Sequence, residues 1–426
     1  MIFFKTNGLS RYVLMGIVIL FSFALKVNGQ IISSLLKGDP SDSLITNYNN
    51  LYGGLTDMTA DMQGNIYVLN NGNHRILKIT KNGVTTIVAG CDDVEFTGDG
   101  RLATSTHIDA YLKNIVVDTK GNIYFSTIKL DSMNVPNTKE KSIISIQKIR
   151  KINEHGILST IPISSKIKDI ICFAVDDGNN LYVAENAFIK KIDSNGKITT
   201  IVDSSAFKKF LNGNHSLYYS FNCIKLDNQH NLYVGGNNWI LQIDKNGVVS
   251  KIAGNGKSIM KMIPVRDLEG KVVTYIKMDN ENTIALDGKL ATSGSITTNN
   301  LGPESFINIC LDKLGNLYFS SESTGWSSDS LNNIIRKVNS RGIISTIVGN
   351  GREGYSDWDI DNVNLKITRK GKSLLLTKNL NGDGGIATLA QLSRPSKIAI
   401  DGQGNLIILD NSPSHIKIVT NVGLNK

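Results

Sequence analysis

Six copies of one short pattern constrain this chain more than anything else in its 426 residues. The pattern is an Asp, a short gap, then Gly or Asn, Asn, an aliphatic residue and Tyr. It runs Asp61 to Tyr67 (DMQGNIY), Asp118 to Tyr124, Asp176 to Tyr182, Asp227 to Tyr233 and Asp312 to Tyr318, and in the sixth copy, Asp401 to Ile407, Ile replaces Tyr. Such repetition marks a structural unit that cannot bury its apolar surface alone and must stack on its neighbours. Each copy carries four apolar runs of strand length; in the first they are Leu55 to Asp61, Ile66 to Leu69, Arg75 to Ile79 and Val84 to Ala89. Gly, Asn and Asp separate the runs, and these residues tolerate the left-handed backbone of tight turns. Strands that are apolar on both faces need cover on both, which blades stacked around an axis provide. The pattern predicts an all-β fold, a six-bladed β-propeller of four-stranded blades. The repeat Asp is expected to cap its own turn through backbone N–H groups rather than join a ring of metal-binding carboxylates.

The last copy supplies only three strands. Ile31-Ile32-Ser33-Ser34-Leu35-Leu36-Lys37-Gly38 parallels Ile343-Ile344-Ser345-Thr346-Ile347-Val348-Gly349. The N-terminal strand is therefore expected to complete the last blade and remove an exposed edge.

Longer stretches narrow the reading. Asn73-His74-Arg75-Ile76-Leu77-Lys78-Ile79 with Gly83 and Thr85 to Gly90, and again Asn333 to Val338 with Gly342 to Gly349, resemble the repeat of the NHL family. A second family-like element, Gly-Asp-Gly followed by Ala-Thr, stands before three repeats: Gly98-Asp99-Gly100 with Ala103-Thr104, Asp287-Gly288 with Ala291-Thr292, and Gly382-Asp383-Gly384 with Ala387-Thr388. The resemblance covers residues 31 to 426 and implies the six-bladed propeller; it implies no reaction, because one fold hosts many functions.

Successive repeat Asp residues are 57, 58, 51, 85 and 89 positions apart. The turns joining strands 1 and 2, and strands 3 and 4, stay short, so the length variation falls in the other two connections, which share one face of the disc. The largest insertions, near 255–300 and 350–394, each carry a predicted hairpin. Insertions confined to one face of a repeat protein mark its binding face. The residue opening each third strand is expected at the channel mouth on that face. Around the ring it is Arg75, Lys148, Phe188, Trp239, Ile334 and His415, and nearby loops add Trp326, Tyr355 and Trp358. Aromatic and Arg side chains are enriched at binding hot spots. The candidate ligand-binding residues are Arg75, Lys148, Phe188, Trp239, Trp326, Trp358 and His415.

Signs of chemistry are few. A metal-dependent lyase on this fold needs several His converging on the channel, and of the six His only His415 falls near its mouth. A lactonase-like propeller would hold calcium in the channel through Glu, Asn and Asp. Asn114, Asn222 and Asn308, four or five positions before their repeat Asp, are the candidates for that alternative. No nucleophile elbow, phosphate loop or Cys/His metal spacing occurs.

The first residues set the compartment. Lys5 and Arg11 precede the apolar run Tyr12 to Leu25, which is followed by Val27-Asn28-Gly29, the order of a secretory signal peptide over residues 1–29. The run is short for a membrane span. Losing Lys5, Arg11 and Lys26, with no acid beside them, takes the formal charge from +9 to +6. That mild excess over a long chain does not call for a nucleic-acid partner. Cys172, Cys223 and Cys310 sit four, four and two positions before their repeat Asp, on one alternating face of equivalent strands. They are expected to be buried free thiols rather than a disulfide framework. Asn214-His215-Ser216 is the one glycosylation sequon. Together these readings predict a secreted, periplasmic or cell-surface monomer that binds a protein, peptide or glycan through its long-loop face. It would have no cofactor and no integral membrane segment after removal of the leader. The alternative is a metal-dependent hydrolase or lyase with calcium in the channel.

Overall fold

The computed structural model describes residues 30–36, 54–92, 98–108, 110–134, 141–163, 167, 169–185, 188–208, 221–236, 239–255, 260–266, 272–279, 285–296, 307–321, 333–350, 360–361, 366–369, 372–375, 385–392, 394–411, 414–420 and 422. Six antiparallel four-stranded sheets form the six blades of a β-propeller. The innermost strands are Leu55–Ala60, Tyr111–Val117, Cys172–Val175, Cys223–Leu226, Ile307–Leu311 and Pro395–Ile400, for blades 1 to 6. Each neighbours the next, and the sixth returns to the first, so the ring is closed.

The turn between strands 1 and 2 is the most repeated local structure, and its sequence explains it. In every copy the repeat Asp accepts, through Oδ1, the backbone N–H groups two and four residues on, at 2.8–3.0 Å. Its Oδ2 accepts the side-chain N–H of the following Asn. The residue three past the Asp is left-handed in each copy, as Gly64, Gly121, Asn179, His230, Gly315 and Gly404. Gly, Asn and, less readily, His tolerate that conformation. The Asp is a turn cap, as its position in the pattern implies.

Blades pack through six apolar clusters, one at each boundary. Val68, Leu69, Ile76 and Leu77 are all essentially inaccessible, so both faces of blade 1 are covered. The last blade is completed by Ile31–Leu36, which pairs antiparallel with Ser414–Val419 (Ile32 opposite Val419, Ser34 opposite Lys417). This is the closure expected from the sequence.

The Gly-Asp-Gly and Ala-Thr element is a strap that ties one blade to the next. Gly90 N–H donates to Ala103 O, and Ala103 N–H to Gly156 O on blade 2. Asp99 accepts from Arg150 at 2.9 Å and from Thr160 N–H at 2.7 Å. The same set recurs one half-turn around the disc, where Asp287 accepts from Arg336 at 2.9 Å and Thr346 N–H at 2.8 Å. Asp383 of the third strap lies outside the described residues, but Ala387 makes the equivalent backbone bonds to Gly349 and Gln30. Beyond the blades, Met260–Arg266 pairs with Val272–Asp279, and Ile360–Asp361, Lys366–Arg369 and Lys372–Leu375 form a three-stranded sheet.

Candidate functional site

The six residues expected to open the third strands share one register, although Lys148 lies well inside its strand, Lys141–Ile152, and His415 is second in Ser414–Val419. Arg75 pairs with Asn70, Lys148 with Thr127, Phe188 with Glu185, Trp239 with Gly236, Ile334 with Ser321 and His415 with Asp410. Strand order places them two strands out from the channel-lining strand, roughly 10 Å at ordinary strand spacing, rather than on the channel rim. Their exposure divides them. Lys148 is exposed and Phe188 is 39% exposed, whereas Trp239 (3%) and Ile334 (4%) are buried. Trp239 fits against the bare backbone of Gly236, where an added Cβ would meet its ring at 2.2 Å. It stacks edge-on against Phe221 at 6.1 Å, and Phe221 against Phe207 at 5.3 Å. Trp239 therefore packs the boundary between blades 3 and 4 instead of offering its ring to a ligand. Arg75 is 8% exposed and held by the exposed Asp92 at 2.7 Å. Trp326, Tyr355, Trp358, the His415 side chain, the Asn214 sequon and the apolar leader lie outside the described residues.

The inner strands carry the polar positions next to the channel. Four residues before the repeat Asp, the six blades hold Asp57, Asn114, Cys172, Cys223, Asn308 and Lys397. Asp57, Cys223, Asn308 and Lys397 tie neighbouring blades together, and Asn114 bonds within its own blade. Asp57 accepts Ile115 N–H at 2.9 Å, and Asn308 accepts Ile398 N–H at 3.0 Å. The Cys223 thiol donates to Ile307 O at 3.1 Å. Asn114 accepts from Ser126. Lys397 stands 3.6 Å from Asp57. Burial, the largest single influence, works to lower the Lys397 pKa, but the groups around it, the Asp57 carboxylate foremost, together hold it above its usual value. Asn222, one position before this register, keeps its side-chain oxygen buried, and the six-residue set offers calcium few ligands. Its one carboxylate already serves a backbone N–H and faces a lysine ammonium, where calcium takes six to eight oxygen ligands. Among the described residues no cluster of three His, Cys, Asp or Glu is placed to hold a metal.

Cys172, Cys223 and Cys310 are buried and unbridged. Burial pushes all three thiols up, Cys223 to about 11. They stay protonated and unreactive at neutral pH.

Three features near the long-loop face are not visible as sites in the sequence. Glu185, 5% exposed, forms an ion pair with Lys190 beside Phe188. Gln147 and Lys113 of blade 2 hold the Ile170 backbone of blade 3, accepting its N–H at 2.7 Å and donating to its carbonyl at 2.9 Å. The middle strands of blade 2, Ile123–Asn134 and Lys141–Ile152, run seven residue pairs past the five-residue span usual in the other blades. This ribbon rises from the connection between strands 2 and 3, on the long-loop face. Lys129, Leu130, Asp131 and Ser132 are exposed one after another, so neither face of the ribbon is covered there.

The chain matches no protein-family model and no curated protein. Among solved structures it is similar to a protein of unknown function from Bacteroides thetaiotaomicron, with a TM-score of 0.51 and 14% identity over 92% of this chain and 76% of that one. It also aligns with an auxiliary nutrient binding protein from the same organism (TM-score 0.47, 12% identity, 92% and 75% covered). A third alignment is with virginiamycin B lyase from Staphylococcus aureus (TM-score 0.38, 15% identity, 88% and 97% covered). The first likeness supports the propeller fold alone.

Proposed function

We propose that this chain is an exported NHL-type propeller that binds a protein, peptide or glycan through its long-loop face, with Lys148 and Phe188 in contact with the ligand. One observation carries the reading. At the single register shared by all six blades, two adjacent blades present an exposed cation and an exposed aromatic ring, beside a ribbon with no cover of its own. An uncovered two-stranded ribbon is marginally stable in water, and a bound partner would cover it. Arg75 supports the same face through its pair with Asp92, and Trp239 supports it from below as packing. Export rests on the leader. Among the described residues no helix is long and apolar enough to cross a membrane.

A photo-crosslinking residue at Phe188 and another at Lys197, on the short-turn face, test the assignment. The Phe188 position is expected to capture a partner that the Lys197 position does not. Lys148→Ala and Phe188→Ala are each expected to weaken the captured complex by about 1 kcal/mol or more. Equal or stronger capture at Lys197 would put the binding face on the wrong side of the disc.

A further inference from the structure

Among the described residues, two grooves on the short-turn face are built from equivalent residues. One lies between blades 1 and 2, the other between blades 4 and 5, three blades away on the opposite side of the disc. Each encloses about 540 Å³, inside the roughly 300–1,000 Å³ range of small-ligand clefts. Gln63 and Tyr67, the strap residues Leu102 and Thr104, and Asn153 of the next blade line the first. In the second, Gln229, Tyr233, Leu290, Thr292 and Asn339 take the same places.

The strap makes the two alike. Its backbone is pinned by Ala103 and Ala291, which leaves the flanking side chains on the groove rim. Leu102 and Leu290 are 50% and 54% exposed, and Thr104 and Thr292 are exposed. Between blades 3 and 4 the groove has a different lining, with His230, Asp244 and Lys245.

The chemistry of both grooves favours an uncharged ligand. In the first, Asp61 and Glu154 balance Lys78 and Lys120; in the second, Asp227 and Asp312 balance Lys251 and Lys313. Asp61, Asp227 and Asp312 are already saturated by their turn donors. Asn153 and Asn339 cap their own turns, and the Tyr67 and Tyr233 hydroxyls are engaged. The Gln63 and Gln229 amides, the Thr104 and Thr292 hydroxyls and an aliphatic rim remain to meet a ligand, a set that suits a molecule with many hydroxyls and apolar C–H faces. We infer that the two strap-rimmed grooves are a pair of equivalent binding sites for a neutral oligosaccharide, separate from the long-loop face.

An array of neutral, uronic-acid and sulfated oligosaccharides, followed by calorimetric titration with the best-retained neutral trisaccharide, tests this. Two sites per chain are expected. Thr104→Trp should fill the first groove and Thr292→Trp the second, so each leaves one site, and the double variant none. Lys197→Ala, exposed and outside both grooves, should leave both. Should either Trp lower the melting temperature, Leu102→Asp and Leu290→Asp on the exposed rim repeat the comparison. Retention of no neutral glycan, retention of acidic glycans alone, or a stoichiometry that none of these substitutions changes overturns the assignment.

Discussion

Asp61, Asp118, Asp176, Asp227, Asp312 and Asp401 perform the same local task in six places, and the side chains around them complete it. The Asn four residues on binds Oδ2, and in four blades the Tyr hydroxyl closes on the same oxygen, at 2.9 Å for Tyr318. A Lys from strand 3 then lies over the ring in those blades, 5.3–5.6 Å from its centre. The cap was legible in the sequence because Asp before Gly-Asn has a local meaning. The Tyr and Lys partners were not, because they meet only across strands. One of these acids and one strap acid respond to pH. Asp176 and Asp99 both titrate below the usual carboxylate range. In each, burial works to raise the value and is outweighed, by Asn180, Tyr182 and Lys191 for Asp176 and by Arg150 and Thr160 for Asp99. A carboxyl with a depressed folded-state pKa contributes stability that is fully present above its unfolded value of about 3.9 and is lost as pH falls through the folded value. Urea midpoints are therefore expected to be level from about pH 5 to 7 and to fall below about pH 4. In an Asp99→Asn, Asp176→Asn double variant that acid slope should be shallower. An unchanged slope would place the acid sensitivity elsewhere.

At the scale of elements, the short turns were readable because Gly, Asn and Asp announce them, and the blade strands because their apolar runs have strand length. The blade 2 ribbon escapes sequence reading. Ile128 to Asn134 mixes charged, polar and apolar residues, and the repeat spacing around it is ordinary. Trp239 misleads in the opposite direction. Its place beside a loop suggested a ligand contact, but Gly235 and Gly236 leave room for the ring to lie on the backbone. At Gly235 an added Cβ would itself meet Cys223 Sγ at 2.8 Å. This predicts a specific sensitivity. Gly236→Ala places a methyl 2.2 Å from the Trp239 ring, which must leave its seat against Phe221. Overpacking of this kind costs about 1–3 kcal/mol, read as a lowered urea midpoint with a red-shifted tryptophan emission as the ring meets water. Gly72→Ala, in the same connection of blade 1, should leave the emission unmoved. A Gly236→Ala protein with wild-type midpoint and emission would mean that the ring does not sit on this backbone.

For the whole molecule, the decisive element is the single strand at the N-terminal end, Ile31–Leu36. Residues 30–36 complete the last blade from the opposite end of the chain, pairing with Ser414–Val419 on one side and with the strap at Gly385–Ile386 on the other. Gln30 O also accepts Ala387 N–H at 2.7 Å, so the first described residue already belongs to the strap of blade 6. Ile416, Lys417 and Val419, in the strand they cover, are at most 1% exposed. A protein beginning at Asp39 would lose that strand and leave the Ser414–Val419 edge bare, ready to pair with another molecule. It would also release Ala387 and loosen the boundary between blades 5 and 6, where Ala387 and Val419 share one apolar cluster. A protein beginning at Gln30 keeps all of these contacts. The Gln30 form is therefore expected to melt as the intact chain does, and the Asp39 form to melt many degrees lower and to self-associate on sizing columns. A synthetic peptide of residues 30–38, added in excess, should raise the melting temperature of the Asp39 form by refilling the vacant strand position, since binding to the native state alone stabilises it. An Asp39 form that stays monomeric with an unchanged melting temperature, or one indifferent to the peptide, would mean that the ring is held by the blade boundaries without its N-terminal strand.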